Sequence, residues 1–270
     1  VVLGMTVDGV AIATVLSNAV SAALLYRRLR TAAQVVRVEP KELRIDRRSL
    51  RRILQIGLPA GIQSAVFSVA NIVIQSAINS LGTVVMAASS AAYNIEIITY
   101  DILNAFSQAC TTFVGQNFGA GELQRCKRTM LLCLAEGVTV LAVAIGVVLF
   151  FGKSLLAVFN NDPQVVEVGY IRLMTVMLAH FASLFYEVLS GYLRGFSISL
   201  PPALLTMLGV CGIRFSWIYW VFPQNPTFQT IMLVFPISLT ATALLMLIAV
   251  LYYRPTRRFA ALQKREQAAQ

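Results

Sequence analysis

Long apolar stretches divide the chain, at residues 2–26, 53–81, 84–118, 130–151, 165–193, 203–222 and 228–253. At 1.5 Å of helix rise per residue, each is long enough to cross a hydrocarbon core of roughly 30 Å. The pattern predicts an all-α, polytopic membrane protein, a bundle of about seven transmembrane helices. The third stretch is too long for a simple crossing: its roughly 35 residues make about 52 Å of helix. It is therefore expected to tilt, kink or project from the membrane.

Polar positions within the stretches are ordered. Turning 100° per residue, Ser64, Ser68, Asn71, Gln75 and Asn79 fall within about 80° of one another and form one stripe on the second stretch. Such a stripe is either a cavity wall or a seam of interhelical hydrogen bonds. On the third stretch Ser90, Asn94, Asp101, Asn104, Gln108 and Thr112 lie within about 80°, whereas Glu96 sits about 140° from Asp101 beside Tyr93 and Tyr100. A carboxylate at the centre of a membrane helix costs roughly 2.5 to 3.5 kcal/mol, so it normally faces protein or a water-filled path. Asp101, on the amide-lined face, is the favoured cation-coupling or substrate acid. Asn71, Gln75, Asn94, Asn104 and Gln108 are its expected polar company. Glu96 is expected to face a neighbouring helix, and Glu187 on the fifth stretch is a further candidate by burial.

The fifth stretch also carries Arg172, His180 and Tyr186, and the sixth carries Arg214 followed by the aromatic belt Trp217, Tyr219 and Trp220. The lone His180 reads first as a packing residue rather than a proton relay. Arg214 either snorkels or pairs with an acid. By helix rise Glu187 and Arg214 lie about 12 Å and 21 Å from the inner turn, a poor match in depth.

Composition agrees with a membrane protein. Of 270 residues 57% are apolar, against about 45 to 50% for soluble domains. The net charge of +10 does not point to nucleic acid. Ten of the 22 Lys and Arg residues lie between Arg27 and Arg52, and five more between Arg254 and Arg265. Assigning alternate loops to the two sides puts 19 of the 22 on one of them, with Lys153 alone opposite, which makes that side cytoplasmic. Cys110, Cys126, Cys133 and Cys211 show no zinc-like spacing and are expected to be reduced packing residues. With one His, no phosphate loop and no paired cysteines, no catalytic constellation and no metal site is expected. The first residues, Val-Val-Leu-Gly, carry no signal-peptide pattern and read as a cut inside a helix, so a piece of a longer protein is expected.

Three segments together carry a family resemblance: GLPAGIQSAVFSVANIVIQSAINSLG, SSAAYNIEIITYDILNAFSQACTTFVGQNFGAG and LRGFSISLPPALLTMLGVCGIRFSWIYWVFPQNPT. In them Gly57-Leu58-Pro59 opens a span, Gln116 to Gly121 closes the next, and Leu193-Arg194-Gly195 precedes the sixth. The chain resembles the multidrug and toxic compound extrusion family of secondary transporters. The resemblance implies the C-terminal part of a twelve-helix protein. Residues 1–26 would be the last helix of the first lobe, 27–52 a basic cytoplasmic link, 53–253 a six-helix second lobe and 254–270 a basic cytoplasmic tail.

It further implies H⁺- or Na⁺-coupled antiport that exports organic, often cationic, drugs or metabolites through alternating access of two lobes, with no cofactor beyond the coupling ion. The implied partners are a small organic substrate, membrane lipid and the missing N-terminal lobe of the same chain. One departure stands out: many members carry a Glu eight residues after the Pro of the Gly-Leu-Pro segment, and here that position is Phe67. Two alternatives remain open at this level. One is a flippase of lipid-linked substrates from the same superfamily, which would favour a more basic cavity. The other is a seven-span membrane scaffold or sensor that does not transport.

Overall fold

The computed structural model describes residues 7–31, 37, 39 and 44–268. No strand occurs among them, and the helices are α1 (Val7–Thr31), α2 (Arg47–Asn79), α3 (Thr83–Gly119), α4 (Leu123–Phe159), α5 (Pro163–Gly195), α6 (Leu200–Gln224), α7 (Phe228–Tyr253) and α8 (Pro255–Ala268). The chain divides into two units, Val1–Ile53 and Leu54–Gln270. In the first, α1 runs through the basic cluster and ends at Thr31, whose hydroxyl donates to the Arg27 carbonyl at 3.0 Å. The start of the first predicted span, and residues 32–36, 38 and 40–43 of the predicted link, lie outside the described residues. Asp46 caps α2: its Oδ2 accepts from the backbone N–H and the hydroxyl of Ser49, both at 2.8 Å. Those bonds hold the Asp46 carboxyl below the usual carboxylate range.

Among the described residues, α2, α4, α5, α6 and α7 are long and apolar enough to cross a membrane. The chain is an integral membrane protein. The seven predicted spans correspond to seven long helices, but α1 and α3 are not among those five. In α3, which is as long as α4, Asn94, Glu96, Asp101 and Asn104 dilute the apolar run.

The bundle of the second unit holds two apolar cores that share α5. Leu103, Cys110, Leu141, Leu156, Leu173 and Leu184 belong to the first, formed by α3, α4 and α5. Ile78, Val176, Val210, Ile231 and Met246 belong to the second, where α2, α6 and α7 pack on the other side of α5. All four cysteines are free and buried. The approach of α5 to α3 is close because Gly191 and Gly195 lie one turn apart on the same face. A Cβ on Gly191 would lie 2.6 Å from the Ser107 carbonyl oxygen, and one on Gly195 would lie 2.6 Å from Cγ1 of Val114. This is the small-residue spacing that lets membrane helices meet backbone to backbone.

The turns follow their local chemistry. Gly82 and Gly121 adopt φ of 104° and 78°, conformations open to glycine. Before α5, Asp162 accepts from the Gln164 N–H at 2.9 Å, with Pro163 in the first turn. The tail, read from sequence only as basic and polar, forms α8, and its Phe259 packs against Phe118 and Phe196 at centroid distances of 4.7 and 5.6 Å.

Candidate functional site

Buried charge is concentrated where α3 faces α5. Arg172 of α5 donates from Nε to Oε1 of Glu96 at 2.7 Å and from Nη2 to Oε2 at 2.8 Å, while Nη1 reaches the Ser89 hydroxyl at 2.5 Å. Both partners are buried. A side-on, two-bond fork of this kind is the strongest arrangement an arginine and a carboxylate can make. It answers the cost of each charge in a membrane interior.

The pair forms part of the wall of a cavity of about 700 Å³. From α2 come Gln63, Ser64, Phe67, Asn71 and Gln75; from α3, Tyr93, Glu96, Tyr100 and Asn104. From α5 come Arg172, His180, Tyr186, Glu187 and Arg194, with Arg214 from α6 and Phe235 from α7. The polar stripe of α2 therefore lines the cavity over Ser64, Asn71 and Gln75. Glu187 accepts from the Ser107 hydroxyl, which lies 3.3 Å from its Oε2 and 2.9 Å from its backbone carbonyl oxygen. Arg194 reaches Gln63 Oε1 at 3.3 Å.

Arg214 is held differently. Its Nη1 donates to Asn71 Oδ1 at 3.2 Å, and its guanidinium carbon lies 4.8 Å from the centroid of the Phe235 ring. Arg172 lies 5.6 Å from the same ring. The helix that carries Arg214 widens into π turns on either side, at Met207–Gly212 and Trp217–Val221, a feature frequent at functional positions.

Of the sequence candidates, Glu96, Glu187, Asn71, Gln75 and Asn104 come together on this cavity. Asp101, Asn94 and Gln108 do not: all three are exposed, and none lines it. Helical angles separate Asp101 from Glu96 correctly, but the face that α5 and the cavity cover is the one carrying Glu96. Asn94 is occupied locally, donating to the Ser90 carbonyl at 3.0 Å. Glu96, expected to face a neighbouring helix, meets α5 through a charged partner. Sequence reasoning did not single out Arg172, Arg194 or Arg214 as site residues. One available signal was depth. Counted from the helix starts at Thr83 and Pro163, Glu96 and Arg172 lie about 20 Å and 14 Å down their helices, a gap that an arginine side chain spans.

A helical membrane bundle with a charge-lined internal cavity defines a class, that of polytopic membrane proteins built around a solute path. The pattern of the MatE family matches residues 59–220, more than half of the chain, and the chain belongs to that family. Its proteins are transporters and not enzymes. Over 219 residues the chain is 28% identical to a probable multidrug resistance protein NorM of Thermotoga maritima, covering 78% of this chain and 45% of that protein. Over 216 residues it is 27% identical to an FAD transporter of Shewanella oneidensis, covering 77% and 48%. The chain thus spans about half the length of the curated relatives it matches. Its fold is also that of a MATE crystallised in complex with MaL6, with a TM-score of 0.81 at 18% identity over 97% of this chain and 59% of the other.

Proposed function

We propose that this chain supplies the second lobe, with the last helix of the first lobe and the link between them, of a two-lobe secondary antiporter that exports organic compounds by alternating access. The observation that carries this reading is a cavity of about 700 Å³ inside a membrane bundle, walled by two acids and three arginines. A packed membrane core has no use for five such charges, whereas a solute path does. The names of its relatives, multidrug resistance proteins and an FAD transporter, support organic cargo. The basic link and tail face the cytoplasm on this reading, as the distribution of Lys and Arg favours. The remaining lobe and the surrounding lipid complete the working unit.

Coupling to H⁺ or Na⁺ falls to Glu187. Glu96 is held in a two-bond fork by Arg172, whereas Glu187 has no ion pair among the described residues, meets only neutral hydroxyls of Ser107 and Tyr186, and borders the cavity. Binding a proton or a cation at Glu187 changes the charge of the cavity, and a ligand that prefers one charge state of a two-state protein shifts its population. The test uses the full-length transporter in proteoliposomes under an imposed pH or Na⁺ gradient. Glu187→Gln is expected to abolish gradient-driven accumulation while leaving substrate exchange at zero gradient within about twofold of wild type. Normal gradient-driven transport by Glu187→Gln would remove this role from Glu187, and loss of exchange as well would make the residue structural.

A further inference from the structure

Resting on the reading of the cavity as the substrate site, we infer that it takes organic anions: flat aromatic compounds whose carboxylate binds Arg214. The cavity wall carries Arg172, Arg194 and Arg214 against Glu96 and Glu187. Glu96 is bound to Arg172. Among the described residues neither Arg194 nor Arg214 has an ion pair with an acid, and they donate instead to Gln63 and Asn71. Arg194 is only partly buried, whereas Arg214 is buried.

The geometry of Arg214 names the missing partner. Its residue is 6% exposed, yet its Nε has no hydrogen-bond partner among the described residues, and its Nη2 makes no hydrogen bond there either. Nε and Nη2 form the same edge that Arg172 presents to Glu96 at 2.7 and 2.8 Å. One arginine of the cavity thus shows the bound form of a carboxylate fork, and the other keeps that edge without a partner among the described residues, its Nε enclosed by protein. Asn71 and the Phe235 ring fix the guanidinium from its other sides. Nδ1 of His180, a residue equally buried on the same wall, also lacks a partner among the described residues. Phe67, Tyr93, Tyr100, Tyr186 and Phe235 give the wall its aromatic character, which suits a flat ring. A guanidinium that is buried, rigidly held and unpaired selects against a cationic ligand by direct repulsion.

Binding of three probes with one ring system tests this by titration calorimetry on the purified full-length transporter: 2-naphthoate, its neutral amide and 2-naphthylmethylammonium. Naphthoate is expected to bind about tenfold or more tightly than the ammonium compound. Arg214→Gln is expected to weaken naphthoate by about tenfold and the amide by less than about threefold, with Arg214→Lys keeping part of the preference. Phe67→Glu leaves Arg214 in place but adds an acid to the wall, and is expected to narrow or invert the preference. It decides the matter if the thermal melt shows that Arg214→Gln does not fold. Equal or tighter binding of the ammonium compound, or an unchanged preference in folded Arg214→Gln, overturns the inference and leaves the transport reading standing. Failure of all three probes to bind also overturns the inference, and the transport reading is then decided by the gradient assay in proteoliposomes.

Discussion

Glu96 and Arg172 show what a single residue pair does in this fold. Each is a charge that α3 or α5 alone cannot carry into a membrane, and the fork between them is what makes both admissible. Glu96→Ala leaves Arg172 buried without its acid, and is expected to cost about 3 to 5 kcal/mol. The double variant Glu96→Ala, Arg172→Met removes both charges and is expected to recover most of that loss. Melting of the purified protein in detergent checks it, and a double variant no more stable than Glu96→Ala would show that the pair is not coupled. The sequence shows both charges inside spans and separates the Glu96 face of α3 from the Asp101 face. Which face is covered is a property of α5, and no periodicity within α3 contains it. Asp101 was favoured because amides accompany it, yet Ser90 and Asn94 on that face bond to carbonyls of their own helix, an alternative that periodicity does not distinguish from a cavity wall.

Among the elements, α5 organises the second unit, and its contact with α3 depends on glycine. With a Cβ on Gly191 placed 2.6 Å from a backbone carbonyl, even Gly191→Ala forces the two helices apart and is expected to destabilise by about 1 to 3 kcal/mol. Gly57→Ala is the control, because nothing lies within 4 Å of a Cβ there; its melting temperature is expected not to fall. Equal melting temperatures for the two variants would mean that α3 and α5 are not held at this spacing. Hydropathy located the long helices of the second unit but not all of their ends. The fourth span, expected over 130–151, is the inner part of Leu123–Phe159, since apolarity marks the segment inside hydrocarbon while helical hydrogen bonding continues through Arg125, Lys127 and Arg128. The tail helix α8 was missed for a related reason. Its polar composition hides the one ring, Phe259, that stacks into the first core.

For the whole molecule the central question is which surface meets solute, because large apolar and polar faces are exposed besides the cavity. Asn104 and Asp101 lie on one side of α3, less than a turn apart, yet Asn104 lines the cavity and Asp101 does not. A solute bound in the cavity therefore shields one and ignores the other. All four cysteines of this chain are buried, so in a full-length background freed of any cysteines elsewhere, single replacements can be read against a low rate of maleimide labelling. In the full-length transporter, 2-naphthoate is expected to slow labelling of Asn104→Cys about fivefold or more when its concentration is several times its Kd. Asp101→Cys is expected to label at the same rate with or without it. Protection of Asp101→Cys instead would move the solute path to the amide-lined face of α3, where the sequence first placed it, and would take Glu187 and Arg214 out of the binding site together.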